Sequence, residues 1–135
     1  MGRKIIVISH NLFAEGLKRS VEMITGKHEN LYAYGLLPGN NPADLLPEIE
    51  KQVETASEVI ILADLVGGSM CNAATQLLTH KHVKLVGGVN LSLLLELVLI
   101  PEDQEVDLVA LIGHAREAIK EVILEQRAQN DEQFF

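Results

Sequence analysis

Two short runs constrain this chain most: Ile5-Ile6-Val7-Ile8 and Val59-Ile60-Ile61-Leu62. Both are unbroken series of β-favouring apolar residues, with no polar position in either phase of a strand's two-residue alternation. A strand with one wet face alternates, whereas a strand that never alternates is covered on both faces, as in a parallel sheet. The rest of the chain agrees with that reading. Strand-like runs at Lys4–Ser9, Asn30–Leu36, Glu58–Asp64 and Val83–Val89 alternate with segments of helical period at Leu12–Thr25, Pro42–Ala56, Met70–His80, Leu91–Ile100 and Asp103–Glu117. This order predicts an α/β fold, an open and mostly parallel four-stranded sheet with helices on both faces.

Local signals mark the element ends. Leu12, Phe13, Leu17, Val21 and Ile24 form one apolar stripe on the first helix, opposite Lys18, Arg19 and Glu22. Gly26 ends that helix. Asn41 caps the second, with Pro42 at its first position. Ile119–Leu124 fits either an extension of the last helix or a short edge strand, and residues 126–135 read as a polar tail.

Composition narrows the class. A chain of 135 residues makes one domain. With 4% aromatic residues and no Trp, its core has to be built from Ile, Leu, Val and Ala. A net charge of −8 repels a phosphate backbone or an anionic membrane, so nucleic acid is not an expected partner. Cys71 is the only cysteine, which excludes an internal disulfide and a cysteine-cluster zinc site and suits a reducing cytoplasm. Leu91–Ile100 is interrupted by Ser92 and Glu96 and is too short to span a bilayer; the N-terminus carries no signal-like apolar stretch.

In open parallel sheets, ligands bind beyond the carboxyl ends of the strands, where the strand order reverses. With the order 2-1-3-4, Ser9-His10-Asn11 comes beside Ala63-Asp64-Leu65-Val66-Gly67-Gly68-Ser69, so a histidine, a carboxylate and a glycine-rich loop converge on one crevice. Neutral imidazole is a nucleophile near pH 7. Asp64 is placed to take the other ring N–H, and backbone N–H groups of Gly67, Gly68 and Ser69, with the Ser69 hydroxyl, suit an anion. The combination suggests phosphoryl transfer. Each signal has a plainer reading when taken singly: a solvated histidine, a helix-capping aspartate, a tight Gly-Gly turn. Their convergence is what favours chemistry.

At these residues the chain resembles a known family. Ile8-Ser9-His10 followed by Phe13-Ala14-Glu15-Gly16-Leu17, Asp64 to Ser69 followed by Asn72-Ala73-Ala74, and Gly88-Val89-Asn90-Leu91 followed by Leu94-Leu95-Glu96 are similar to the mannose-type IIA component of the sugar phosphotransferase system. The resemblance covers about residues 3–120. It implies a histidine phosphocarrier that takes phosphate from the carrier protein HPr on His10 and passes it to a histidine of a IIB component. Asp64 would then be the partner of His10, and Gly67, Gly68 and Ser69 the phosphate-facing loop. It further implies a domain over residues 1–125, a free-standing IIA subunit, no cofactor and no metal. Assembly would be a cytoplasmic homodimer that exchanges an antiparallel C-terminal strand and associates only indirectly with the IIC and IID membrane components. Where family members often carry Phe-Gly-Gly-Ser-Pro-Phe, this chain has Val66-Gly67-Gly68-Ser69-Met70-Cys71.

Other candidates are weaker. His80-Lys81-His82 sits between a helix end and a strand and reads as a solvated turn rather than a metal pair. His28 and His114 have no evident partner. A receiver-type domain would need an acidic pair after the first strand, where this chain has Ser9-His10. The phosphotransfer subunit of a dihydroxyacetone kinase, or a silent regulatory module of the same fold, is the alternative.

Overall fold

A computed structural model describes residues 2–124 of the chain. Its four strands are β1 (Arg3–His10), β2 (Leu31–Leu36), β3 (Glu58–Ala63) and β4 (Val83–Gly87). They are all parallel, in the order β2-β1-β3-β4, as the alternation predicts. Around them lie α1 (Phe13–Thr25), α2 (Pro42–Glu54), α3 (Ser69–Ala74), a 3₁₀ turn (Thr75–Thr79), α4 (Leu91–Val98) and α5 (Leu108–Glu117). The polar tail read over residues 126–135 lies outside the described residues.

The unbroken apolar runs divide between two layers, one residue at a time. Ile5, Val7, Ile60 and Leu62 pack with Ala14, Leu17 and Val21 of α1, Leu93, Leu94 and Leu97 of α4, and Leu111 and Ala115 of α5. Ile6, Ile8, Val59 and Ile61 face the other way, against Ile49 and Val53 of α2 and Met70, Cys71 and Ala74 of α3. Ile6, Ile8, Ile60 and Ile61 have no exposed surface at all. Each such side chain contributes roughly 1.5–3 kcal/mol through burial, so the two central strands form a stiff platform. Leu93, Leu94 and Leu97 of α4 are therefore core, with Leu91 and Leu95 half-buried against them.

Three expectations need correction. The stripe on α1 is buried only at its centre: Ala14, Leu17 and Val21 face the sheet, while Leu12, Phe13 and Ile24 are exposed. The last helix begins at Leu108 rather than Asp103, because the Asp107 carboxylate accepts the Ala110 N–H and caps it. The helix read over Met70–His80 is short and tightens to 3₁₀ after Ala74. Hydroxyls of Thr75 and Thr79 donate to the carbonyls three residues back, Asn72 and Gln76, and compete with helical bonding there. Asn41 does cap α2, in a capping box with Asp44, and Gly26 does close α1.

Polar groups mark both ends of β1. At its start Arg3 is 3% exposed. Its Nε donates to Glu58 Oε1 at 2.8 Å, Nη1 to the carbonyls of Ile100 and Pro101 at 3.4 and 3.2 Å, and Nη2 to the carbonyl of Gln104. The loop that follows α4 is thereby tied to the sheet. At the other end of β1 stands His10.

Candidate active site at the ends of β1 and β3

His10 is the last residue of β1, paired in register with Leu36 of β2. Below it Ser9 is buried, and its Oγ accepts the Ala14 N–H at 2.7 Å, so the strand's own last buried residue holds the first turn of α1. Between them Asn11 takes a left-handed conformation, φ 51°, which Asn tolerates better than most side chains. Its N–H donates to the Leu36 carbonyl at 2.7 Å. The histidine is therefore clamped on both sides in sequence.

Asp64 follows β3, and its N–H continues the ladder by donating to the Ile8 carbonyl at 3.1 Å. One carboxylate oxygen holds His10 twice. Oδ2 accepts the His10 backbone N–H at 2.9 Å and lies 2.8 Å from ring Nδ1. An ionised carboxylate only accepts, so in the neutral imidazole the proton sits on Nδ1 and Nε2 keeps its lone pair. The other oxygen, Oδ1, is buried and has no hydrogen-bond partner among the described residues.

The loop after Asp64 meets the opposite edge of the imidazole. Ser69 Oγ is 3.1 Å from Nε2. Gly67 has φ +80°, the left-handed turn that only glycine enters freely. Gly68 lies against the ring, where an added Cβ would stand 3.0 Å from His10 Cε1. The three loop residues thus take separate positions. The Gly68 N–H is already bonded to the Leu65 carbonyl at 3.1 Å, whereas the Ser69 hydroxyl faces the ring nitrogen.

The convergence is on a rim rather than in a deep crevice: the His10 side chain is 50% exposed and that of Asp64 15%. Leu12, Leu65 and Val66, all exposed, flank it. Asn90, which sequence reasoning met only inside a motif, bridges the next turn. Its Oδ1 accepts the Leu93 N–H and its Nδ2 donates to the Ala115 carbonyl, tying the start of α4 to α5. Among the described residues, no three His, Cys, Asp or Glu side chains gather closely enough to hold a metal ion.

Comparison with known proteins turns this geometry into a relationship. The family described as "PTS system fructose IIA component" matches residues 4–112. The chain belongs to the mannose-type IIA family of the sugar phosphotransferase system. It is 32% identical over 123 residues to the mannose-specific EIIAB component of Escherichia coli K12, covering 86% of this chain and 38% of that protein, so it spans well under half the length of that relative. Identity is 38% over 96 residues to the sorbose-specific EIIA component of Klebsiella pneumoniae, covering 69% of this chain and 70% of the relative. The crystal structure of the IIA protein associated with the fucose utilization operon of Streptococcus pneumoniae superposes with a TM-score of 0.81 at 30% identity, covering 95% of this chain and 97% of that one. Among its described residues no helix is long and apolar enough to cross a membrane.

Proposed function

We propose that this chain is a histidine phosphocarrier, in which His10 Nε2 accepts a phosphoryl group from phospho-HPr and passes it to a histidine of a IIB component. The observation that carries the reading is the two-sided hold on the imidazole. Asp64 Oδ2 fixes Nδ1–H at 2.8 Å and leaves Nε2 outward, 3.1 Å from the Ser69 hydroxyl. In the resting chain that hydroxyl donates to Nε2, and on transfer it turns to a phosphoryl oxygen.

The lone pair of Nε2 attacks phosphorus while the bond from phosphorus to its donor breaks, and the donor keeps that electron pair. The ring then bears phosphate on Nε2 and a proton on Nδ1, a positive charge that the Asp64 carboxylate faces. Transfer onward returns the P–Nε2 electron pair to the ring. The metaphosphate-like group spreads its charge over its equatorial oxygens, and oriented donors such as Ser69 stabilise it. Open exposure of the ring suits a group delivered by another protein.

We place this work in the cytoplasm, in a homodimer. β4 is an edge of the sheet, and Ile119, Val122 and Leu124 are exposed and lie outside α5. Exchange of the 119–124 segment as an antiparallel strand along the partner's β4 would satisfy both. A chain cut before Ile119 should sediment as monomer or aggregate; a stable dimer of it contradicts the exchange.

The test of the chemistry is incubation with phosphoenolpyruvate, enzyme I and HPr. Acid-labile, base-stable phosphate should appear on His10, and no label, or label on another residue, overturns the assignment. Starting from purified phospho-HPr, excess EDTA should leave transfer intact. A rate that collapses in EDTA and returns with Mg²⁺ would favour receiver-like chemistry at Asp64.

A further inference from the structure

Two glycines outside the site sit where its two loops cross the sheet. Gly35 is the penultimate residue of β2 and Gly87 the last of β4, the two outer strands. Neither has a left-handed φ, so backbone freedom does not explain them. Space does. A Cβ on Gly35 would collide with the Asn11 carbonyl oxygen and stand 3.1 Å from its carbon. A Cβ on Gly87 would collide with Val66 Cγ2 and stand 3.0 Å from both the Cα and the N of Val66. The near atoms are largely backbone, which cannot rotate out of the way as a side-chain tip does.

The two contacts are counterparts. The chain leaving β1 crosses the end of β2 on the face that α1 covers, and Asn11, next to His10, is its crossing point. Departing from β3, the chain crosses the end of β4 on the face that α3 covers, and Val66 is the crossing point, inside the loop that carries Gly68 and Ser69. Ala33 of β2 packs in the α1 layer, and the strand's alternation turns Gly35 to that same layer. Leu85 of β4 packs in the α3 layer, and Gly87 follows it there.

We propose that Gly35 and Gly87 are positioning residues for His10: one strand end is left bare for the loop that leaves His10, the other for the loop that brings Asp64 and Ser69 to its ring, so that each loop can lie directly on the sheet. Gly35 sets the height of the loop after β1, and through it the bond from Nδ1 to Asp64. Gly87 sets the height of the loop after β3, and through it the approach of Ser69 to Nε2. The inference rests on the phosphocarrier role of His10.

The test uses the full chain with Gly35→Ala, Gly87→Ala and, as control, Gly113→Ala, whose added Cβ meets nothing within 4 Å. Single-turnover transfer from phospho-HPr should slow by about tenfold to a hundredfold in the first two, as a misplaced reacting group implies. The phospho-HPr concentration giving half-maximal rate should move far less. ¹⁵N spectra of the ring should change chiefly at Nδ1 in Gly35→Ala and chiefly at Nε2 in Gly87→Ala. Adding Val66→Gly to Gly87→Ala removes the colliding side chain and frees the loop, and should recover much of the rate. Folded alanine variants with the control's rate and ring spectra would overturn the proposal, and so would loss of folding in both, since the glycines would then serve stability alone. Failure of the wild type to label His10 would instead remove the phosphocarrier reading, while the ring spectra would still report on position.

Discussion

Arg3 and His10 open and close the same strand, and the fold treats their polar groups in opposite ways. Arg3 is buried with Glu58 and three backbone carbonyls around its guanidinium. Its nitrogens are spent on structure. His10 is half exposed, with one ring nitrogen held by Asp64 and the other facing solvent beside a single hydroxyl. Among the described residues Asp64 itself keeps an oxygen, Oδ1, without a partner, although an unsatisfied buried acceptor costs about 1–3 kcal/mol. A saturated polar cluster fastens elements together, and an unsaturated one on a rigid platform is available for chemistry.

That contrast can be broken by substitution at either end. The largest expected effect is His10→Ala, which should abolish phosphorylation while the far-ultraviolet spectrum and melting temperature stay near wild type, because an exposed strand-end side chain packs little. Normal labelling of that variant would move the acceptor elsewhere. Asp64→Asn should still bind HPr yet transfer up to about 10⁴-fold more slowly, the cost of a ring held in the wrong tautomer. Unchanged single-turnover kinetics would reduce Asp64 to a loop anchor. For Ser69→Ala the slowing should be about 10²-fold, the low end for the loss of one donor to developing charge. Arg3→Met should leave the rate per folded molecule unaltered and lower stability by about 3 kcal/mol, the low end for a broken buried pair because Glu58 is partly exposed and can rehydrate. In a chain of this size that corresponds to roughly 10 °C in melting temperature. A rate defect in Arg3→Met would mean that the two ends of β1 are not independent.

Much of the architecture was legible because burial on two faces writes itself into sequence as loss of alternation. Ile5 to Ile8 and Val59 to Leu62 mark the central strands, and the order 2-1-3-4 then puts His10 beside Asp64. What stayed hidden depends on geometry finer than period. Phe13 has the spacing of a core residue yet is exposed, since the helix presents Ala14 to the sheet instead. Gly67, Gly68 and Ser69 read as one anion cradle, but turn closure takes the Gly68 N–H and only backbone tracing reveals that. The grip of a single Asp64 oxygen on both the backbone and the ring of His10 leaves no pattern in sequence, because any aspartate at that position would look the same.

That double grip has a kinetic consequence. Backbone N–H and Nδ1 bonded to one oxygen close a small ring of atoms around the histidine, which stops its side chain from rotating. On the proposed reading, His10 is then a fixed post, not a swinging arm, and the phosphate leaves along the line by which it came. Donor and acceptor must occupy the same rim in turn. Unphosphorylated HPr should therefore compete with IIB for the phosphorylated chain, and turnover should follow ping-pong kinetics with no ternary complex. A complex of all three proteins, isolated at equilibrium, would show that the ring moves after all.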